Sequence, residues 1–191
     1  MSCKGRALLL ALVLIGCGRS PDASSNETTG VHILAIDTSG SASAVKGQVF
    51  KQAASDFYGV PDKCTTYIYR FDNEPAEVYS GFSPTTEEEG FQKINSVLQH
   101  TETKPGTNLL KLVKQVNLHF SRGESKIFLN IYTDCGFEEM TNPELDECKV
   151  LTSEWGTNRD ISVKLLGVQA GFREKLRKLI NVPSSKLAFL D

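Results

Sequence analysis

Residues 31–43 read Val31-His32-Ile33-Leu34-Ala35-Ile36-Asp37-Thr38-Ser39-Gly40-Ser41-Ala42-Ser43. The first six form an apolar run of strand length, suited to a strand buried on both faces. A turn of small polar residues starts at Asp37. Beyond it Val45, Val49, Phe50, Ala53, Ala54 and Phe57 recur at helical spacing, and Pro61 closes the segment. Strand, oxygen-rich turn and helix make the opening unit of an α/β fold. In such folds ligands gather at the carboxyl ends of the strands. Asp37, Ser39 and Ser41 stand at that point with alternate spacing, one carboxylate and two hydroxyls. These are hard oxygen donors of the kind that suits Mg2+.

The same alternation continues along the chain. Thr65–Phe71, Lys126–Tyr132, Ile161–Val168 and Leu187–Leu190 read as strands, and residues 85–99, Asn108–Phe120, Pro143–Trp155 and Phe172–Ile180 as helices. Ala76–Tyr79 follows Thr65–Phe71 through only Asp72-Asn73-Glu74-Pro75, a tight-turn sequence, so it is expected to run antiparallel. The expected architecture is α/β and doubly wound: a mostly parallel six-stranded sheet with one short antiparallel strand and helices on both faces, Rossmann-like in layout. Two further segments then fall on the edge that carries Asp37. Pro105-Gly106-Thr107-Asn108-Leu109 opens one helix, and Tyr132-Thr133-Asp134-Cys135-Gly136 ends one strand.

Taken together, Asp37-Thr38-Ser39-Gly40-Ser41, Gly106-Thr107-Asn108-Leu109-Leu110 and Thr133-Asp134-Cys135-Gly136 resemble the three motifs of von Willebrand factor A domains, which are similar to integrin I domains. The resemblance covers about residues 30–191. It implies a metal-ion-dependent adhesion site. Ser39, Ser41 and Thr107 would offer hydroxyl oxygens, and Asp37 and Asp134 carboxylates, to Mg2+, with Mn2+ or Ca2+ as alternatives. It also implies a protein partner that presents an Asp or Glu to the remaining metal position, and no catalysis. Cys135 departs from the family pattern, which has Gly there. Asn108, Phe137, Glu138 and Glu139 adjoin these loops and are expected on the rim.

Competing chemistries fit less well. A phosphohydrolase of the haloacid dehalogenase type needs a second carboxylate two residues after the first, for proton transfer; Ser39 occupies that place. The Gly-Lys-Ser/Thr ending of a phosphate loop is missing after Gly40. There is no G-x-S-x-G elbow, and His32, His100 and His119 are scattered without zinc spacing. They read as structural or solvated. A metal-independent assembly subunit of the envelope remains the alternative from another class.

The remaining features concern location. Lys4 and Arg6 precede an apolar run from Ala7 to Ile15 that ends Leu14-Ile15-Gly16-Cys17. The run is short for a membrane span and fits a signal segment. Its ending resembles the lipobox of bacterial lipoproteins, which implies removal of residues 1–16 and acylation of Cys17. Removing Lys4 and Arg6 shifts the net charge from −2 to −4. No basic excess exists to hold nucleic acid. Residues 18–29 are polar and small, a flexible tether, and 30–191 form the domain. Gly18 rather than Asp at the next position favours the outer membrane or cell surface over the inner membrane, by resemblance to enterobacterial sorting.

Of the five cysteines, Cys64, Cys135 and Cys148 fall within the domain. Cys64 is expected at the sheet end opposite the metal edge, too far from Cys135 for a bridge. A Cys135–Cys148 disulfide is therefore expected, with Cys64 buried and unpaired. Arg173, Lys175, Arg177 and Lys178 read as the solvated basic face of the last helix, and Trp155 as core.

Overall fold

The computed structural model describes residues 30–39, 46–61, 64–99, 106–134 and 140–190. The expected signal and tether with Cys17, and also Ser41, Cys135, Phe137, Glu138 and Glu139, lie outside the described residues.

Six strands form one sheet: β1 (Val31–Asp37), β2 (Thr65–Phe71), β3 (Ala76–Gly81), β4 (Lys126–Tyr132), β5 (Asp160–Leu166) and β6 (Leu187–Leu190). Their order is β3-β2-β1-β4-β5-β6. Only β3, joined by the tight turn, runs antiparallel. The helices are α1 (Lys46–Tyr58), α2 (Glu87–Gln99), α3 (Leu109–Ser121), α4 (Asn142–Thr157) and α5 (Ala170–Leu179). The expected elements are all present, with ends shifted by a few residues. Thr85 and Thr86 lie ahead of α2 instead of within it: Thr86 Oγ1 accepts from the Glu89 N–H at 3.1 Å, and the Glu89 carboxylate accepts from the Thr85 N–H at 3.0 Å. That reciprocal arrangement stops the helix from starting earlier.

Side-chain alternation along the strands divides the core in two. Ile33, Ala35, Tyr69, Phe71, Leu129, Ile131, Val163 and Leu165 pack under α3, α4 and α5. Leu34, Ile36, Ile68, Tyr132 and Leu166 pack under α1 and α2. β1 is buried on both sides, which explains its unbroken apolar run. β5 instead alternates. Its second face carries Asp160, Ser162 and Lys164, of which only Ser162 is half-buried. The helical stripe of α3, Leu109, Leu112, Val113, Val116 and Phe120, is wholly buried.

α4 corrects one expectation. Cys148, Thr152 and Trp155 are its buried residues, spaced to share the face turned to the sheet. Cys148 is a free thiol with no solvent exposure. The expected Cys135–Cys148 bridge is not formed, because helix phase sends the Cys148 side chain into the core. Burial pushes that thiol up to about 12. Cys64, just before β2, is buried as expected. Trp155 is core, its Nε1 donating to Asn117 Oδ1 at 2.6 Å.

Of the histidines, His32 stacks on Phe128 at 4.6 Å between centroids. His119 is fully buried between Tyr69 Oη, 2.9 Å from its Nε2, and Glu124, 2.7 Å from its Nδ1. Both have structural surroundings, as expected.

Candidate metal-binding site at the carboxyl edge

β1 ends on Asp37, which is level with Phe71 at the end of β2 and one step past the Ile36–Tyr132 pair on β4. This register brings three chain segments to one carboxylate. Asp37 Oδ1 accepts from the Ser39 N–H at 2.8 Å, which closes a turn across Thr38. Thr107 Oγ1 lies 3.2 Å from Asp37 Oδ2, and Thr133 Oγ1 donates to the same oxygen at 2.7 Å. Backbone bonds fix each segment. Thr38 N–H donates to Phe71 O at 2.9 Å, Asn108 N–H to Asp72 O at 2.9 Å, and Thr133 N–H to Leu166 O at 3.0 Å. Gly106 holds φ at 87°, a left-handed conformation that costs other residues about 1–2 kcal/mol, and so turns the chain into Thr107.

Asp37, Ser39, Thr107 and Thr133 are buried, while Asp134 is half-buried. Burial pushes the Asp37 carboxyl above its ordinary value. The Ser39 and Thr133 hydrogen bonds oppose that rise, and the negative charge of Asp134 reinforces it. Among the described residues no cationic side chain pairs with Asp37. An ionised carboxylate in such a place needs an opposite charge. The hydroxyl of Thr38, in the same turn, is buried without a partner. The donor set is all oxygen: Asp37, Ser39, Thr107 and Asp134, with Ser41 beyond the described residues. These residues fit a hard divalent cation. Among the described residues no group of three His, Cys, Asp or Glu could hold a metal; this set depends on hydroxyls.

Thr107, Ser39 and Asp134 thus reach the edge at which the sequence placed them. Three other residues were not foreseen as parts of the site. Thr133 donates to Asp37 Oδ2 at 2.7 Å, and only the direction of its side chain at the strand end could have signalled this. Asp72 is buried at the end of β2 and accepts from the Glu74 N–H at 3.0 Å. Glu144 caps α4: its Oε2 accepts from Thr141 N at 2.8 Å and from Thr141 Oγ1 at 2.9 Å. Its Oε1 accepts from Asn108 Nδ2 at 3.0 Å. Asn108, expected on the rim, is buried and is engaged at both ends of its amide, since Oδ1 accepts from the Lys111 N–H at 3.1 Å.

This sheet order, with its single antiparallel strand and flanking helices, is the Rossmann-like fold of von Willebrand factor A domains. A von Willebrand factor type A protein from Catenulispora acidiphila superposes with a TM-score of 0.59 at 14% identity, over 85% of this chain and 38% of that one. The VWA domain of SpRpn10 superposes with a TM-score of 0.53 at 12% identity, over 85% and 87% of the two chains. Proximal thread matrix protein 1 from the mussel byssus, in a structure with a zinc-occupied MIDAS motif, gives 0.53 at 18% identity, over 84% and 41%. The chain therefore spans well under half the length of the first and third of these proteins. No family model matches the sequence, and no curated protein matches it.

Proposed function

We propose that this chain is a lipid-anchored envelope protein that binds a protein partner through a divalent cation, Mg2+ in the first instance. Asp37, Ser39, Ser41, Thr107 and Asp134 would hold the cation. The observation that carries this reading is the buried Asp37 carboxylate, which has neutral donors from Ser39, Thr107 and Thr133 around it and no cationic side chain among the described residues. When bound, the cation supplies the missing positive charge and a coordination position for a partner's Asp or Glu oxygen. The protein's own part is to orient. Thr133 and the Ser39 N–H fix the Asp37 carboxylate, and the turn they stabilise presents the Ser39 hydroxyl. Ser39, whose hydroxyl does not transfer protons near neutral pH, stands where a phosphohydrolase of the haloacid dehalogenase type has its second carboxylate. We therefore read a binding protein and not an enzyme.

The anchor reading rests on Lys4, Arg6, the apolar run and Leu14-Ile15-Gly16-Cys17. Among the described residues no helix is long and apolar enough to cross a membrane. Two acyl signals suffice for stable attachment where one does not, and an acylated Cys17 would carry more than one chain. Outer membrane or cell surface is the proposed location.

The test is thermal unfolding with and without millimolar Mg2+ or Mn2+, because a ligand of the native state raises Tm by mass action. Wild-type protein is expected to shift upward and Asp37→Ala to show no shift. An equal shift in both would overturn the site. Partner capture from envelope extracts that survives chelator would favour the metal-independent assembly subunit.

A further inference from the structure

The geometry points to Asn108 and Glu144 as a clasp that positions the metal site from outside its ligand set: two positioning residues, one on each helix that starts beside it. The inference rests on the metal reading above. α3 begins directly after Thr107, and α4 begins after the connection that leaves Asp134. These two helix starts belong to different parts of the chain and share no backbone hydrogen bond. The side chains of Asn108 and Glu144, 36 positions apart, join them at 3.0 Å.

Each residue serves two elements at once. Asn108 caps α3 with its oxygen and gives its amide N–H to Glu144. Glu144 closes the capping box of α4 with one oxygen and accepts from Asn108 with the other. The contact also reaches β2. Asn108 N–H donates to Asp72 O, and Lys111, one turn into α3, pairs with Glu74 in the β2–β3 turn. A second bridge, Lys114–Glu147 at 2.8 Å, lies one turn further along the same pair of helices. That bridge is half exposed at both ends, and such pairs contribute little. The clasp is the contact next to Thr107, so opening it frees Thr107 and the start of α4 to separate. Residues that orient ligands from outside the coordination shell commonly change metal affinity 10–100-fold.

Helix capping and clasping can be separated. Asn108→Ser keeps an N-cap acceptor for Lys111 N–H but cannot reach Glu144. Glu144→Gln keeps a capping-box side chain, but its single carbonyl oxygen cannot serve Thr141 and Asn108 together. Mn2+ binding to full-length protein is measured by calorimetry, alongside metal-free Tm. The expected result is a Kd raised about 10-fold in each variant, with metal-free Tm close to wild type. The double variant is expected to be no weaker than either single one, since residues acting through one contact are not additive. Wild-type Mn2+ affinity in both single variants overturns the clasp and leaves the metal reading standing. No Mn2+ binding by the wild type overturns both. A loss of affinity that tracks a fall in metal-free Tm overturns the clasp in favour of a merely structural role. As a further control, Lys114→Ala removes the second bridge and is expected to leave Mn2+ affinity unchanged; an equal loss there also overturns the assignment.

Discussion

Thr133 Oγ1 lies 2.7 Å from Asp37 Oδ2 and donates its proton to it, tying the end of β4 to the end of β1. The two residues are 96 positions apart, and neither has appreciable solvent contact. Thr133→Val keeps the shape and removes the donor. It leaves a buried acceptor short of one hydrogen bond, at about 1–3 kcal/mol. It is expected to weaken Mn2+ binding about 10-fold, as the loss of an orienting partner does. Thr133→Ser should restore most of the affinity. Calorimetric titration of the three proteins checks this.

The metal-free domain should gain from losing the charge at position 37. Burial holds the Asp37 carboxyl above its ordinary value, so the folded state takes up a proton more readily than the unfolded one. Its contribution is fully present at pH below the unfolded value and is lost as pH rises through the raised folded one. At neutral pH with chelator, Asp37→Asn is expected to match or exceed wild-type Tm. With millimolar Mg2+ the order should reverse, because only wild type gains ligand-linked stability. Thermal melts in the two buffers decide it, and an Asn variant less stable than wild type in chelator would contradict the argument.

His32 makes a pH dependence of the opposite sign. Burial, and then the Lys164 charge, hold its imidazole down to about 4, against an ordinary 6.5. The folded state binds fewer protons than the unfolded one between these values. Stability is therefore complete above about pH 6.5 and falls as pH drops towards about 4. His32 is partly hydrated, so solvent screening reduces the effect to about 1 kcal/mol. Lys164→Met should shallow this slope, and His32→Gln should remove its share. Urea unfolding at pH 7 and pH 4.5 measures the difference. His119, also held down by burial, adds to the slope in both variants equally.

Gly167 turns the chain at the end of β5 with φ at 84°, and a Cβ there would meet Thr133 O at 3.0 Å. Gly167→Ala is expected to cost about 1–2 kcal/mol from the left-handed backbone alone. The close approach adds pressure on the segment that carries Thr133 and Asp134, so metal affinity should fall together with Tm. Gly123→Ala, at φ 91° with open space around it, should lower Tm without touching affinity.

Cys148 should resist alkylation in the native state, since its thiol is buried and held up to about 12. Reaction with iodoacetamide is expected only with the onset of unfolding in denaturant. Fast labelling of Cys148 in native protein, or its recovery in a disulfide-linked peptide, would contradict the structure.

The unbroken apolar run Val31–Ile36, the helical stripes and the Asp72–Pro75 turn made the layers and the antiparallel β3 legible, because these depend on local pattern and chain length. Asp37, Ser39, Thr107 and Asp134 were legible through their place after strands and before helices. What stayed hidden depends on phase and long-range pairing. Cys148 could be placed on α4, but which way it faces is set by Thr152 and Trp155 packing on the sheet. The link from Asn108 to Glu144 joins residues that no short pattern relates. The contact of Thr133 with Asp37 depends on side-chain direction at the end of β4, which sheet twist and register determine.

β1 enters the sheet at Val31, the end nearest residues 17–29, and leaves it at Asp37. It lies between two parallel neighbours, with paired residues along its length on both sides. If the proposed anchor and partner hold, a load between the amino terminus and a partner at the carboxyl edge would pass along this strand. Both of its ladders would bear that load lengthwise, in shear, with their hydrogen bonds stretched together instead of one after another. The strand that ends on Asp37 is therefore also built to carry tension along its length.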